Sequence, residues 1–309
     1  MIQIKASAKK VTALLLSGVL VATTLLLSGC GKEEQIVIGT QTFTESKIMA
    51  EMYKALIEQQ TDLEAKIIPD LAASAVIINA MKKNEVHMAT LYSGELFNNH
   101  FPIEETKDRQ EVLKQAQAGF DKYLGFTWMD SLGFENTYAF TVRSQLADER
   151  GYERISDVVK DAGNLRLGVD TTWMERTNDG YPAFRKAYNV EFGQAFPMEQ
   201  SLVYEAVGNN QVDIVLAYST DSRIKAYDLK TLEDDKQFFP PYDASPVLLN
   251  ELAQKHPEVV QAIQPLIGTV NEQTMIDLNY KVDIEKKSER EVAIEYLQQQ
   301  GLLEKNNEK

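Results

Sequence analysis

Cysteine occurs once in the 309 residues, at position 30, and histidine only three times. One cysteine excludes a disulfide framework within the chain, so the fold must rest on packing. His87, His100 and His256 are scattered, and no two have the spacing of a metal-ligand pair. Phosphate-loop, G-x-G-x-x-G and G-x-S-x-G sequences are missing as well. Acid pairs such as Asp234-Asp235 sit in charged loop sequence, and no nucleophile with a matching base can be nominated. The chain is therefore read as a non-enzyme, with no catalytic residue, metal or cofactor. Basic residues are also few: 32 Lys and Arg against 46 Asp and Glu give a formal charge of −14. Non-specific nucleic-acid binding needs clustered Lys and Arg, so that class is excluded.

Long apolar runs are missing, with one exception. Lys5, Lys9 and Lys10 precede an almost uninterrupted apolar stretch of 17 residues, Val11 to Leu27, which leads into Leu27-Ser28-Gly29-Cys30. A positive start, an apolar middle and small residues before a cysteine form the pattern of a bacterial lipoprotein signal. The run is short for a membrane span of about 20 residues. Residues 1–29 are expected to be a lipoprotein signal peptide. Cys30 is then the lipidated first residue of a tether, 30–35, on the extracytoplasmic face of the cell membrane. One acyl chain holds a protein weakly and two hold it stably. Removing the three lysines of this leader, which has no acids, takes the formal charge from −14 to −17. An acidic body suits solubility as well as a cationic ligand, a solvated acidic surface is the commoner reason for it, and acidity alone names no substrate.

The remaining chain of about 280 residues exceeds the usual size of one core, so two lobes are expected. Apolar patterning predicts a strand at Ile36 to Thr40 and a helix from Glu45 to Gln59, with Thr42 and Glu45 spaced as a capping box. A strand at Lys66 to Pro69, a helix at Ser74 to Lys83 and a strand at His87 to Tyr92 complete a β-α-β-α-β unit, which implies a parallel sheet. A helix at Asp108 to Tyr123 and a strand at Asn136 to Arg143 follow. A second alternating unit runs from Leu165 to Ala217, and Phe238 to Ser245 reads as a turn containing Pro240 and Pro241. Three helices, near Leu248 to Gln254, Pro257 to Leu266 and Ser288 to Gln299, close the chain and would return to the first lobe. Tyr138 to Arg143 and Phe239 to Ser245 are the expected crossings. Ligands of open parallel sheets sit beyond the carboxyl ends of strands, where Tyr92 and Tyr218 lie.

Several stretches resemble the substrate-binding lipoproteins of osmoprotectant importers, the ABC-type systems for glycine betaine, carnitine and choline. They are Gly39-Thr40-Gln41-Thr42-Phe43-Thr44-Glu45, Tyr92-Ser93-Gly94-Glu95, Gly133 to Phe140, Asp179-Gly180-Tyr181-Pro182, Asp213 to Asp221 and Phe238 to Asp243. The resemblance runs in order over nearly the whole mature chain. It implies an α/β, two-lobe periplasmic-binding-protein fold with the ligand cleft between lobes of residues 36–139 with 243–309 and 140–242.

In that family tyrosines from both lobes cage the trimethylammonium head of the ligand, and the matching positions here are Tyr92, Tyr138, Tyr218 and Tyr242. The logic is physical: a quaternary ammonium has no N–H to donate, but aromatic faces attract its charge and bury its methyl groups. Gln41 and Asn136 match polar ligand contacts, and the first-helix amides suit a carboxylate or hydroxyl. Glu95 departs from members with an uncharged residue there. A carboxylate at this place accepts a hydrogen bond from the choline hydroxyl and repels a betaine carboxylate, by up to about 4 kcal/mol at 4 Å and an effective dielectric of 20. Choline is therefore expected over glycine betaine and carnitine. Ser222, where the family often has Gly, is a second departure. The resemblance implies as partners a quaternary-ammonium ligand and a membrane permease with its ATPase, and a monomer is expected. The alternatives are a binder of other small zwitterions such as amino acids, and a surface hydrolase of choline esters.

Overall fold

The computed structural model describes residues 35–175 and 180–304. The expected signal peptide, Cys30, residues 30–34 of the tether, and Asp179 lie outside the described residues. The described residues from Ile36 onward form one compact unit.

Among the described residues ten strands build two sheets. The first contains β1 (Ile36–Gly39), β2 (Ala65–Ile68), β3 (Met88–Tyr92), β4 (Phe126–Trp128) and β10 (Ala244–Leu249), in the order β2-β1-β3-β10-β4. The second contains β5 (Tyr138–Arg143), β6 (Arg166–Asp170), β7 (Gln194–Met198), β8 (Ile214–Tyr218) and β9 (Leu229–Thr231), in the order β7-β6-β8-β5-β9. The expected β-α-β-α-β unit is present: β1 pairs in parallel with β2 and β3, and helices Thr44–Gln60 and Ser74–Lys82 connect them. Neither sheet is wholly parallel, however. β10 runs antiparallel to β3 and β4, and β5 antiparallel to β8 and β9.

β10 corrects the expected turn and helix at this place. Within β10, Pro246 stands opposite Thr90 where the strand has passed the end of β4. Its carbonyl accepts from Met129 N at 3.0 Å, so the missing N–H of proline leaves no ladder bond unmade there. The helix follows at Asn250–Lys255. Pro197 similarly lies in the edge strand β7, which sequence patterning also missed. The helix Glu272–Asp283 was not foreseen either. Its mixed polarity gives a weak periodicity, but Asn271 caps it by accepting from Thr274 N at 2.8 Å.

Each half has its own core. Ile48, Met52 and Leu56 of the first helix pack against β1, β3 and the late residues Val259, Ile263, Val292 and Tyr296, so the last helices do return to the first sheet. In the second half Phe140 stacks on Phe184 at 4.4 Å beside Trp173 and Phe239. The chain passes between the sheets at 129–137 and again at 232–243. The first passage therefore lies ahead of Tyr138 to Arg143, which is strand β5. The two passages touch through an antiparallel bridge, Glu135 to Asp243. The helix Glu272–Asp283 contacts both halves, with Met275 and Leu278 in the first core and Ile276 among Val203, Tyr204 and Val207 of the second.

Candidate functional site

The strand ends deliver the tyrosines to one place. β3 ends at Tyr92, β8 ends at Tyr218, and β5 begins at Tyr138, directly opposite Tyr218 in the ladder. The Tyr138 and Tyr218 rings stack with centroids 5.2 Å apart. Tyr242 arrives from the second passage, and its ring fills the space that a side chain at Gly94 would take. A Cβ at residue 94 would stand 2.2 Å from Tyr242 Cε1, so only glycine admits the ring. A cavity of about 750 Å³ opens among these groups, lined by Tyr92, Tyr218, Tyr242, Asn136 and Glu95 of the expected site and by Phe43, Glu45, Thr220, Arg223 and Asp283, among others.

Two expected residues stand outside the lining. Tyr138 backs Tyr218 and packs against Phe239 at 5.7 Å. Gln41 is fully buried. Its Oε1 accepts from Ser46 Oγ, and its Nε2 donates to Ser74 Oγ and Thr90 O, both at 3.3 Å. Gln41 thus supports the wall through Ser74, which does line the cavity. Glu95 sits in the turn Ser93–Asn98 at 8% exposure, and its Oε2 accepts from Asn98 Nδ2 at 2.9 Å.

Sequence reasoning missed Glu45, which it assigned to a capping box with Thr42. The helix Thr44–Gln60 has Phe43 as its N-cap residue, with no side-chain cap. The Glu45 side chain turns into the cavity wall instead, at 2% exposure. Its Oε1 accepts from Tyr92 Oη at 2.5 Å and Asn136 Nδ2 at 2.9 Å, and its Oε2 from Thr220 Oγ1 at 2.5 Å. Burial pushes the Glu45 carboxyl above its ordinary 4.5, and these hydrogen bonds pull it back only partly. Burial and the neighbouring Glu45 also push the Tyr92 phenol well above its usual range. A neighbouring carboxylate bridge is parallel to this one: Asp283 accepts from Thr44 Oγ1 at 2.5 Å and Ser222 Oγ at 2.7 Å. Ser222 opens a short helix, Ser222–Ala226, behind the N-cap Asp221.

The lining holds four carboxylates, Glu45, Glu95, Asp221 and Asp283, and one arginine, Arg223. Arg223 was also missed. Asp221 grips its guanidinium at 2.8 and 2.5 Å, and Tyr204 stacks under it at 4.1 Å. Arg109 holds the two passages together. It donates Nε to both oxygens of Asp243, at 2.8 and 2.9 Å, while Glu135 Oε2 accepts from Tyr242 N at 3.3 Å. Among the described residues no group of three or more His, Cys, Asp and Glu is arranged to hold a metal.

Two α/β halves around such a cavity have the two-sheet periplasmic-binding-protein fold. A family model for the substrate-binding domain of ABC-type glycine betaine transport systems matches residues 34–299, and the chain belongs to this family. The carnitine transport binding protein OpuCC of Listeria monocytogenes is 41% identical over 307 residues, covering 97% of this chain and 100% of the relative. A glycine-betaine-binding protein of Pseudomonas aeruginosa is 29% identical over 291 residues, covering 91% of this chain and 92% of the relative. The crystal structure of a glycine betaine/carnitine/choline ABC transporter superposes with a TM-score of 0.84 at 38% identity, over 87% of this chain and 100% of that one.

Two outcomes follow from this geometry. Gly94→Ala is expected to destabilise the protein by about 1–3 kcal/mol, measured by urea unfolding. Most of that loss should vanish in the Tyr242→Ala background, because the clash is with that ring. For Glu45, a folded-state pKa above the unfolded 4.5 means its contribution is fully present below that pH and lost as pH rises through the folded value. Glu45→Gln, with no charge to bury, should therefore gain melting temperature relative to the parent in the window that opens as pH rises above about 4.5. A difference that stays flat over that window contradicts the assignment.

Proposed function

We propose that the chain is the substrate-binding component of an ABC importer for quaternary-ammonium osmoprotectants, and that it prefers choline to glycine betaine and carnitine. The observation that carries this reading is the cavity where Tyr92, Tyr218 and Tyr242, drawn from both halves, meet an excess of carboxylates. Each desolvated ring contact with a quaternary ammonium contributes about 2 kcal/mol. Several together sustain micromolar binding after the costs of association. Tyr138 stiffens the cage from behind through its stack on Tyr218. Asn136 meets the polar end of the ligand, and Gln41 acts through Ser74.

The choline preference rests on charge. Glu95 and Glu45 both line the cavity, and the lone arginine there is neutralised by Asp221. A carboxylate-bearing ligand meets net repulsion, whereas the choline hydroxyl donates to a carboxylate. Arg223 also favours a second reading, in which it swings from Asp221 to a ligand carboxylate and carnitine or glycine betaine is preferred. The relatives named above, described as binding carnitine and glycine betaine, support the class common to both readings.

Residues 36–139 with 243–309, and 140–242, act as lobes that hinge at the two passages and close over the ligand. The closed, monomeric protein presents both lobes to a permease driven by an ATPase, with no catalysis of its own. Lipid on Cys30 keeps it at the extracytoplasmic face of the membrane. Calorimetric titration with choline, glycine betaine and carnitine tests the reading. Tyr92→Ala and Tyr218→Ala should each weaken choline binding by about tenfold or more, and retention of full affinity in both would remove the cage. Glu95→Gln should shift the choline-to-betaine ratio toward betaine by about tenfold. An unchanged ratio, together with betaine binding lost in Arg223→Gln, would establish the second reading instead.

A further inference from the structure

We propose that Glu45 makes closure of the two halves depend on the charge of the ligand, because the carboxylate on the cavity wall is also the one that the second half grips. This rests on the reading of the cavity as a quaternary-ammonium site. Thr44 and Glu45, at the start of the first helix, face Thr220 and Ser222 of the second half across two rungs. One rung is Glu45 itself, bonded to Thr220 Oγ1. The other is Asp283, bonded to both Thr44 and Ser222. Asn279, beside Asp283 on the same helix, donates to Thr220 O at 2.9 Å and holds that loop in place. The passage contributes Asn136, and the cage contributes Tyr92. One side chain therefore joins the first half, the passage, the second half and an aromatic wall of the cavity.

Closing the halves removes this carboxylate from water, and among the described residues no basic side chain pairs with it. The other charged groups on the cavity are Glu95, Asp221, Asp283 and Arg223, and Arg223 is already held by Asp221. A buried carboxylate with hydrogen bonds but no counter-charge opposes the closed state. A cationic head in the cavity supplies that charge, so it favours closure more than an empty or neutral cavity does. A ligand shifts such an equilibrium only by its difference in affinity for the two states, and here the difference comes from charge. Tyr92 amplifies it: a phenol donating to a carboxylate has a more electron-rich ring, which attracts the ammonium more strongly.

The test combines choline titration with small-angle scattering of the ligand-free protein. Glu45→Gln keeps an acceptor for Tyr92 and Asn136 and a donor for Thr220. The ligand-free variant should be more compact than the parent, because its closure buries no charge. Its choline affinity should fall by about tenfold or more. General damage to the fold would expand the protein, not compact it. Thr220→Val keeps the carboxylate and removes the rung; it should weaken choline and give no compaction, and it alone decides the matter if Glu45→Gln does not fold. A Glu45→Gln protein as open as the parent, or choline affinity within about twofold of it, overturns the proposal, as does a Thr220→Val protein that binds like the parent. A parent that binds none of choline, glycine betaine and carnitine refutes the proposed function itself, a result these variants do not mimic.

Discussion

A carboxylate removed from water must be met by donors, and at Glu45 those donors come from parts of the chain that share no other reason to meet. Tyr92 lies 47 residues downstream, Asn136 91 and Thr220 175. Satisfying one anion therefore fixes the relative position of a strand end, a passage between sheets and a loop of the other half. Hydrogen bonds to a charged group contribute about 1.5–3 kcal/mol each, and a misplaced donor leaves the anion uncompensated at greater cost. That asymmetry ties the geometry of the cavity to this side chain more tightly than apolar contact alone, which tolerates sliding.

A second constraint is steric. Tyr242 reaches the cavity only because residue 94 lacks a side chain, and its backbone is held from both directions: its N–H donates to Glu135 and its carbonyl accepts from Asn136 N at 3.0 Å. Arg109 then fixes Asp243, the next residue, and lies 3.8 Å from Glu135. Burial raises the Glu135 carboxyl, and the Arg109 guanidinium works against that rise. The passages that would serve as hinges are thus anchored by a charged cluster at one end and by the cavity carboxylate at the other. Motion between the halves must be taken up between those anchors.

The sequence was most legible where one local signal decided the outcome. Ile48, Met52 and Leu56 at helical spacing located the first helix, and the apolar run ending at Tyr92 located β3 and its tyrosine. Legibility failed where a tertiary partner overrode the local signal. Phe238 to Ser245, with Pro240 and Pro241, reads as a turn and Leu248 to Gln254 as a helix, but pairing with β3 and β4 draws Ala244–Leu249 into a strand. Glu45 three residues after Thr42 satisfied a capping pattern, yet the donors that claim it lie far along the chain and no local rule could reveal them. Gln41 shows the converse. Its place in a polar turn reads as a ligand contact, but its amide is taken up by Ser46, Ser74 and Thr90 behind the cavity wall. Asn279 and Asp283 were hidden because the helix that carries them has alternating polar and apolar residues and no strong face.

Charge near a cavity cannot be read by counting residues, and Arg223 is the case in point. A count makes it, as the lone cation among four carboxylates in the lining, the natural partner for an anionic ligand group. Its guanidinium instead lies 4.1 Å over the Tyr204 ring and donates Nε and Nη2 to Asp221, in a pair that already defines the start of the helix Ser222–Ala226. Releasing it to a ligand would leave Asp221 uncompensated, with 11% of its side chain exposed. The field at the cavity is then set by the carboxylates that lack a cation of their own, Glu45 above all. Glu45 belongs both to the wall and to the contact between halves, so in the proposed function recognition of charge and movement of the halves draw on the same buried group.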